Sequence, residues 1–176
     1  EGSAEPIRLS SNESNLGPSP KALKSYTEAV AQIHRYPEPY QIELRHALAE
    51  HHHLDASNII CGNGSAELIQ MLIHAYVDEG EEVLLSEYGF PLYRILAILQ
   101  GAKVIYSPEV NYMTNVDHLL DRISSRTKLI ALANPNNPTG TYLSAQKVRR
   151  LHANIPEHVI LMLDEAYAEY ATAEDF

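Results

Sequence analysis

The rhythm of apolar positions changes near residue 58, and the two stretches predict different elements. In the first, residues 1–18 are polar and loop-like, with Gly17-Pro18-Ser19-Pro20 as punctuation. Ser19 followed by Pro20 suits a helix N-cap and first turn, predicting a helix over about 20–33. The prolines of Arg35-Tyr36-Pro37-Glu38-Pro39 forbid its continuation. Ile42, Leu44 and Leu48 mark a second helix over about 40–53. From residue 58 onward, short apolar runs at 59–61, 83–85, 103–106, 129–132 and 159–163 read as strands. Helical patterns separate them, over about 65–77, 91–100, 116–124 and 144–153. Strands apolar on both faces and divided by helices predict an α/β fold, with a mostly parallel, doubly wound sheet.

The 176 residues amount to one globular domain, or a piece of a larger one. Apolar residues make up 45%, enough to bury a real core. One cysteine excludes a disulfide framework and a cysteine-based zinc site. That cysteine, Cys61, reads as a small core residue in its strand. No apolar run approaches the ~18 residues that span a bilayer, and no signal peptide opens the chain, so a soluble cytoplasmic protein is expected. Asn12-Glu13-Ser14 and Asn63-Gly64-Ser65 are then chance matches to a glycosylation triplet. A net charge of -10 argues against nucleic-acid and anionic-membrane partners, while leaving room for a small anion in a local pocket. His51-His52-His53, with His46, resembles a metal cluster, yet adjacent helical residues point in different directions and cannot share one ion. These histidines are read as an exposed polar face, and no metal site is expected.

Candidate chemistry falls at four predicted strand ends, where open parallel sheets bind ligands. Gly62-Asn63-Gly64-Ser65-Ala66-Glu67 opens a helix, and free amides with the positive dipole end suit a phosphate. An ordinary turn capped by Ser65 is the other reading. Glu87-Tyr88-Gly89-Phe90-Pro91-Leu92-Tyr93 puts aromatics where one could stack on a flat ring or simply cover the sheet edge. Asn134-Pro135-Asn136-Asn137-Pro138-Thr139-Gly140 is a restrained loop presenting amide side chains. Asp164-Glu165-Ala166-Tyr167 follows five apolar residues, and a carboxylate there must find a partner or shift its pKa. A helix cap, a surface acid, metal binding and pairing with a cationic ligand nitrogen all remain open for it.

Taken together, these segments resemble the fold-type I, pyridoxal-phosphate-dependent aminotransferases, and within them the histidinol-phosphate aminotransferase family. The likeness runs in family order from Leu9-Ser10-Ser11-Asn12-Glu13 and Gly17-Pro18-Ser19-Pro20 through Arg35-Tyr36-Pro37 to Asp164-Glu165-Ala166-Tyr167. It implies a cofactor, pyridoxal 5′-phosphate, held by Ser65, Ala66, Phe90, Asn137, Asp164 and Tyr167. By this resemblance Asp164 pairs with the ring nitrogen, while Asn137 and Tyr167 bond the phenolic oxygen. Phe90 stacks on one face, small Ala166 leaves the other open, and Ser65 and Ala66 hold the phosphate. Tyr36 would reach the phosphate of a neighbouring subunit, implying a homodimer, and Asn12 would lie near the substrate. An amino donor such as histidinol phosphate and a 2-oxo acid, 2-oxoglutarate, are the expected small-molecule partners.

The family's cofactor-binding lysine lies in a Ser-Lys turn some way after the Asp-Glu-Ala-Tyr strand, and by that likeness it falls beyond Phe176. None of Lys21, Lys24, Lys103, Lys128 or Lys147 matches it, so no catalytic residue is expected within the chain. An N-terminal fragment is therefore expected, with residues 1–37 as an arm and small-domain segment and 38–176 as an incomplete cofactor-binding domain. Without that lysine the chain should not transaminate. Aromatic transaminases, a threonine-phosphate decarboxylase and the sensor domain of a transcription regulator share similar motifs. A P-loop ATPase would need G-x-x-x-x-G-K-[ST], and the glycine turn here has no lysine.

Overall fold

The computed structural model describes residues 10–176, so the first nine positions of the expected loop and arm lie outside the described residues. Its centre is a sheet of β1 (Glu82–Ser86), β2 (Lys103–Ser107), β3 (Thr127–Ala133) and β4 (Ile160–Asp164). The spatial order is β2-β1-β3-β4, and every neighbouring pair is parallel. Leu84 stands beside Ile105 on one flank and Ile130 on the other.

Parallel neighbours require crossovers, supplied by α4 (Pro91–Leu99), α5 (Val116–Asp121) and α6 (Ala145–Asn154). Because strand side chains alternate, the sheet feeds two cores. Val83, Leu85, Leu129 and Ala131 face α4 and a further helix, α3 (Gly64–Tyr76), through Ile69, Ile73 and Leu96. Leu84, Ile130 and Leu132 face α5 and α6 through Leu119 and Leu151. All five residues of β1 are buried, and each large apolar side chain so enclosed contributes about 1.5–3 kcal/mol. The doubly wound α/β sheet expected from the alternating pattern is thus present.

Upstream of α3 lie two helices. Helix α1 (Pro20–Ala29) begins where the Ser19 hydroxyl accepts from the Ala22 amide at 3.1 Å, and a single 3-10 turn, Val30–Gln32, follows it. Helix α2 (Ile42–His52) starts two residues later than expected, because the Glu38 carboxylate draws in the amides of Tyr40 and Ile42 at 3.0 and 2.9 Å. His51, His52 and His53 are exposed at its end, as is His46 on its body. Helix α5 stops short of the expected 124, since Ser124 and Thr127 form a turn through Thr127 N to Ser124 O at 3.2 Å.

One expected strand is absent. Residues 59–61 join no sheet among the described residues, Ile60 is 75% exposed, and Cys61 is half-buried rather than enclosed in a strand. An apolar run becomes a strand only when another backbone takes its hydrogen bonds, and none of the four strands does. Helix α3 also takes Asn63, not Ser65, as its N-cap position. The Glu67 carboxylate curls back to accept from Asn63 N at 2.6 Å and from its side-chain amide at 3.1 Å.

Two polar side chains brace the sheet's ends. Glu82, 3% exposed at the start of β1, accepts from Ser124 Oγ and from Arg126 Nε and Nη2 at 3.0 and 2.8 Å. Beyond β3, buried Asn134 clamps the loop that follows, donating to Leu143 O at 3.1 Å and accepting from Leu143 N at 2.7 Å. The peptide bonds Asn134-Pro135 and Asn137-Pro138 in that loop are cis.

The Ser124 hydroxyl foremost, with Arg126, holds the Glu82 carboxyl below its ordinary value despite burial. A carboxyl depressed in the folded state contributes stability above its unfolded pKa and loses it as pH falls through the folded one. Urea unfolding should therefore show stability declining as pH drops below 4.5. The Glu82→Gln variant should shrink that decline and cost about 1–3 kcal/mol at neutral pH. For Asn134→Ala, the loss of two buried hydrogen bonds should cost about 2–4 kcal/mol in chemical denaturation.

Candidate functional site

The strand order creates a crevice. From β1 the chain crosses to β2 on one flank, then returns past β1 to form β3 on the other. The loops leaving β1 and β3 therefore diverge at the strands' carboxyl ends, where open α/β sheets place ligands. Asn136 bridges the two loops, its Nδ2 donating to Tyr88 O at 3.2 Å and to Thr139 Oγ1 at 2.8 Å.

Six of the residues singled out in the sequence line one cavity of about 90 Å³ here: Ser65, Phe90, Asn137, Asp164, Ala166 and Tyr167. They arrive from four separate segments, and Tyr93 and Ala133 complete the lining. The cavity opens on both sides. It shares Asn137 and Tyr167 with a cleft of about 590 Å³ that Asn12 and Glu13 also line. Ser65, Asp164 and Ala166 belong as well to a groove of about 660 Å³ between α3 and β4.

Each side chain has a local reason for its place. Phe90 has extended backbone before Pro91, the first residue of α4, so its ring is presented at the helix start. That ring meets Tyr93 edge-on, with centroids 5.5 Å apart and an interplanar angle of 83°. Asp164 is the last residue of β4; its Oδ1 accepts from Ala166 N at 3.2 Å, and its Oδ2 accepts from the Tyr93 hydroxyl at 2.8 Å. Tyr93 is fully buried. Burial, then the carboxylate beside it, pushes its phenol far above its ordinary value, so the hydroxyl keeps its proton and donates. The Tyr167 hydroxyl accepts from Asn12 Nδ2 at 2.8 Å, tying the N-terminal segment to the β4 loop.

The remaining wall is the start of α3. Amides in the first turn of a helix lack intrahelical partners and sit at the positive end of its dipole, an arrangement that favours an anion beside Ser65. The turn is compact: a side chain at Gly62 would bring its Cβ within 2.9 Å of Glu67 Oε2 and 3.1 Å of Leu68 Cδ2.

Not every expected residue reaches the cavity. Ala66 is exposed one position further along the first turn of α3. Tyr36 is fully exposed between α1 and α2 and does not line it. Asn12 meets it only through Tyr167. None of the five lysines lines it, and among the described residues no cluster of His, Cys, Asp or Glu could hold a metal ion. Phe176, after which the cofactor-binding lysine is expected, does not line the cavity either. Its ring packs edge-on against Tyr142, with centroids 5.8 Å apart, and its amide donates to Ala173 O at 3.3 Å. Tyr93 and Asn134 lie in the same sequence segments as Phe90 and Asn137, and only the fold reveals their partners, Asp164 for Tyr93 and the main chain of Leu143 for Asn134.

The cavity combines a flat aromatic wall, a carboxylate at one end, amide and phenol groups, and an anion-favouring helix start. That donor set suits a phosphorylated, nitrogen-containing aromatic ring. Comparison with known proteins agrees with this chemistry. The histidinol-phosphate aminotransferase of Rhodospirillum centenum is 48% identical over 170 residues, covering 97% of this chain and 47% of that protein. The enzyme of the same name from a Ruegeria species is 49% identical over 175 residues, covering 99% and 48%. The chain thus spans about half the length of the curated relatives it matches. Among solved structures, the Sinorhizobium meliloti histidinol-phosphate aminotransferase in complex with pyridoxal-5′-phosphate superposes with a TM-score of 0.89. It is 31% identical, over 93% of this chain and 45% of that one. The family model for class I and II aminotransferases matches residues 4–176, and the chain belongs to that family.

Proposed function

We propose that the protein is a pyridoxal-phosphate-dependent aminotransferase that moves an amino group between histidinol phosphate and 2-oxoglutarate. The observation that carries this is the meeting of Ser65, Phe90, Asn137, Asp164, Ala166 and Tyr167, from four segments, around one cavity. The names of the relatives at 48% and 49% identity point to the donor.

Pyridoxal phosphate, when bound, supplies an electron sink that makes bonds beside the amino group labile. Within that reading Asp164 holds a proton on the ring nitrogen, and a carboxylate there stabilises the positive charge. Asn137 and Tyr167 donate to the phenolic oxygen and stabilise its anion. Phe90 covers one face of the ring and keeps water from it, while small Ala166 leaves the opposite face accessible. Ser65, with the amides of Ser65 and Ala66, holds the phosphate. Asn12 then lies on the substrate side through its bond to Tyr167, within the cleft of about 590 Å³. The reading also calls for a lysine to bind the cofactor and move the proton, and none of Lys21, Lys24, Lys103, Lys128 or Lys147 lines the cavity. The exposed Tyr36 is assigned to the phosphate of a second subunit, making the enzyme a homodimer. Residues 1–37 act as an arm and small-domain segment ahead of the cofactor-binding domain at 38–176.

The full-length gene product, supplied with pyridoxal phosphate, histidinol phosphate and 2-oxoglutarate, should form glutamate in a coupled assay. Asp164→Asn should lower kcat at least about 100-fold with the fold retained by circular dichroism. Near-normal turnover in that variant, or glutamate formed from tyrosine but not from histidinol phosphate, would overturn the assignment.

A further inference from the structure

A buried tyrosine that no assigned role uses sits behind the acid of this site. Tyr93 has no exposed surface, and its one polar atom donates to Asp164 Oδ2 at 2.8 Å. It is anchored on both sides: α4 buries Leu96 and Ala97 one turn further on, and the Phe90 ring meets its edge. The Asp164 carboxylate offers two oxygens and about four lone-pair positions. Ala166 N takes one at Oδ1, and Tyr93 takes one at Oδ2. Two donors on different oxygens fix the plane of the carboxylate and determine which lone pairs remain for the cavity. Tyr93 also touches the aromatic wall, so one side chain sets both the acid and the ring beside it.

We propose that Tyr93 is a positioning residue for the cofactor's ring nitrogen, acting through Asp164 by fixing which lone pairs of its carboxylate face that nitrogen. This rests on the proposed function. Its energetic logic is that of a charge-assisted hydrogen bond: a donor locked in place beforehand removes the cost of orienting the carboxylate when the ring arrives. The phenol remains protonated across the working range, because burial and the neighbouring carboxylate both oppose its ionisation. It therefore serves as a fixed donor and not as an acid.

The test reads binding and needs no turnover. Pyridoxamine 5′-phosphate binds without a covalent bond, and its analogue with C–H in place of the ring nitrogen removes only the contact to Asp164. Affinities of both are measured by fluorescence titration on the full-length wild-type protein and on Tyr93→Phe, which keeps the ring and loses the hydroxyl. Tyr93→Phe should weaken pyridoxamine phosphate about tenfold, as expected for a lost hydrogen bond to a charged group, and alter the carbocyclic analogue by less than about twofold. Equal weakening of both ligands marks a structural role only and overturns the proposal, as does no weakening of either. Should the variant not fold, the wild type still decides through the Tyr93 hydroxyl proton in NMR. That signal should move when pyridoxamine phosphate binds and stay in place with the carbocyclic analogue; an equal shift with both overturns the idea. Failure of the wild type to bind pyridoxamine phosphate at all would instead remove the proposed function itself.

Discussion

Strand β1 pairs on both flanks and buries all five of its side chains. With no water to satisfy its amides and carbonyls, it must have β2 on one side and β3 on the other. Parallel pairing then demands helical crossovers that cover both faces. The next consequence is geometric. Because the chain visits β2 before returning to β3, the loops after β1 and β3 part at the strands' carboxyl ends. The cavity occupies that parting. Its position is thus an outcome of backbone hydrogen bonding, and the residues that line it are those the four loops happen to carry there.

Charge within the site is arranged against the trend of the whole molecule. The chain carries a net charge of -10, yet the start of α3 offers partial positive charge beside Ser65. Asp164 lies at the end of the neighbouring β4, so the cavity has an anion-favouring wall and an anionic one. A ligand with a phosphate at one end and a cationic ring nitrogen at the other complements both. The buried Tyr93 and the main chain of Ala166 supply hydrogen bonds to both oxygens of the half-buried Asp164 carboxylate.

Outside this centre the packing thins. Helix α1 buries none of its residues, and Leu16, Tyr26, Ile33 and Tyr36 are exposed. The β4 edge is only half-buried, and the groove beside it is lined by Ile60, Leu68, Met71 and Leu72. The missing strand at 59–61 belongs to the same region. Its apolar character was legible, but strand formation depends on a partner backbone, which a local pattern cannot supply.

The sequence by itself determined the alternation of elements from residue 82 onward, because burial on both faces of a parallel sheet writes continuous apolar runs between helical periods. It also determined the chemical inventory: a glycine turn opening a helix, Phe90 before a proline, an amide-rich loop and an acid after an apolar strand. The Ser19 cap was equally local, a hydroxyl three residues from the amide it bonds. Only the tertiary structure decided that these pieces surround one cavity, that Asn63 rather than Ser65 is the N-cap position of α3, and that Ala66, Tyr36 and Phe176 stay outside. It alone joined Tyr93 to Asp164, and Asn12 to Tyr167, across 71 and 155 residues of chain. A bond between groups so far apart leaves no periodicity in the sequence; the strand order brings its two ends together.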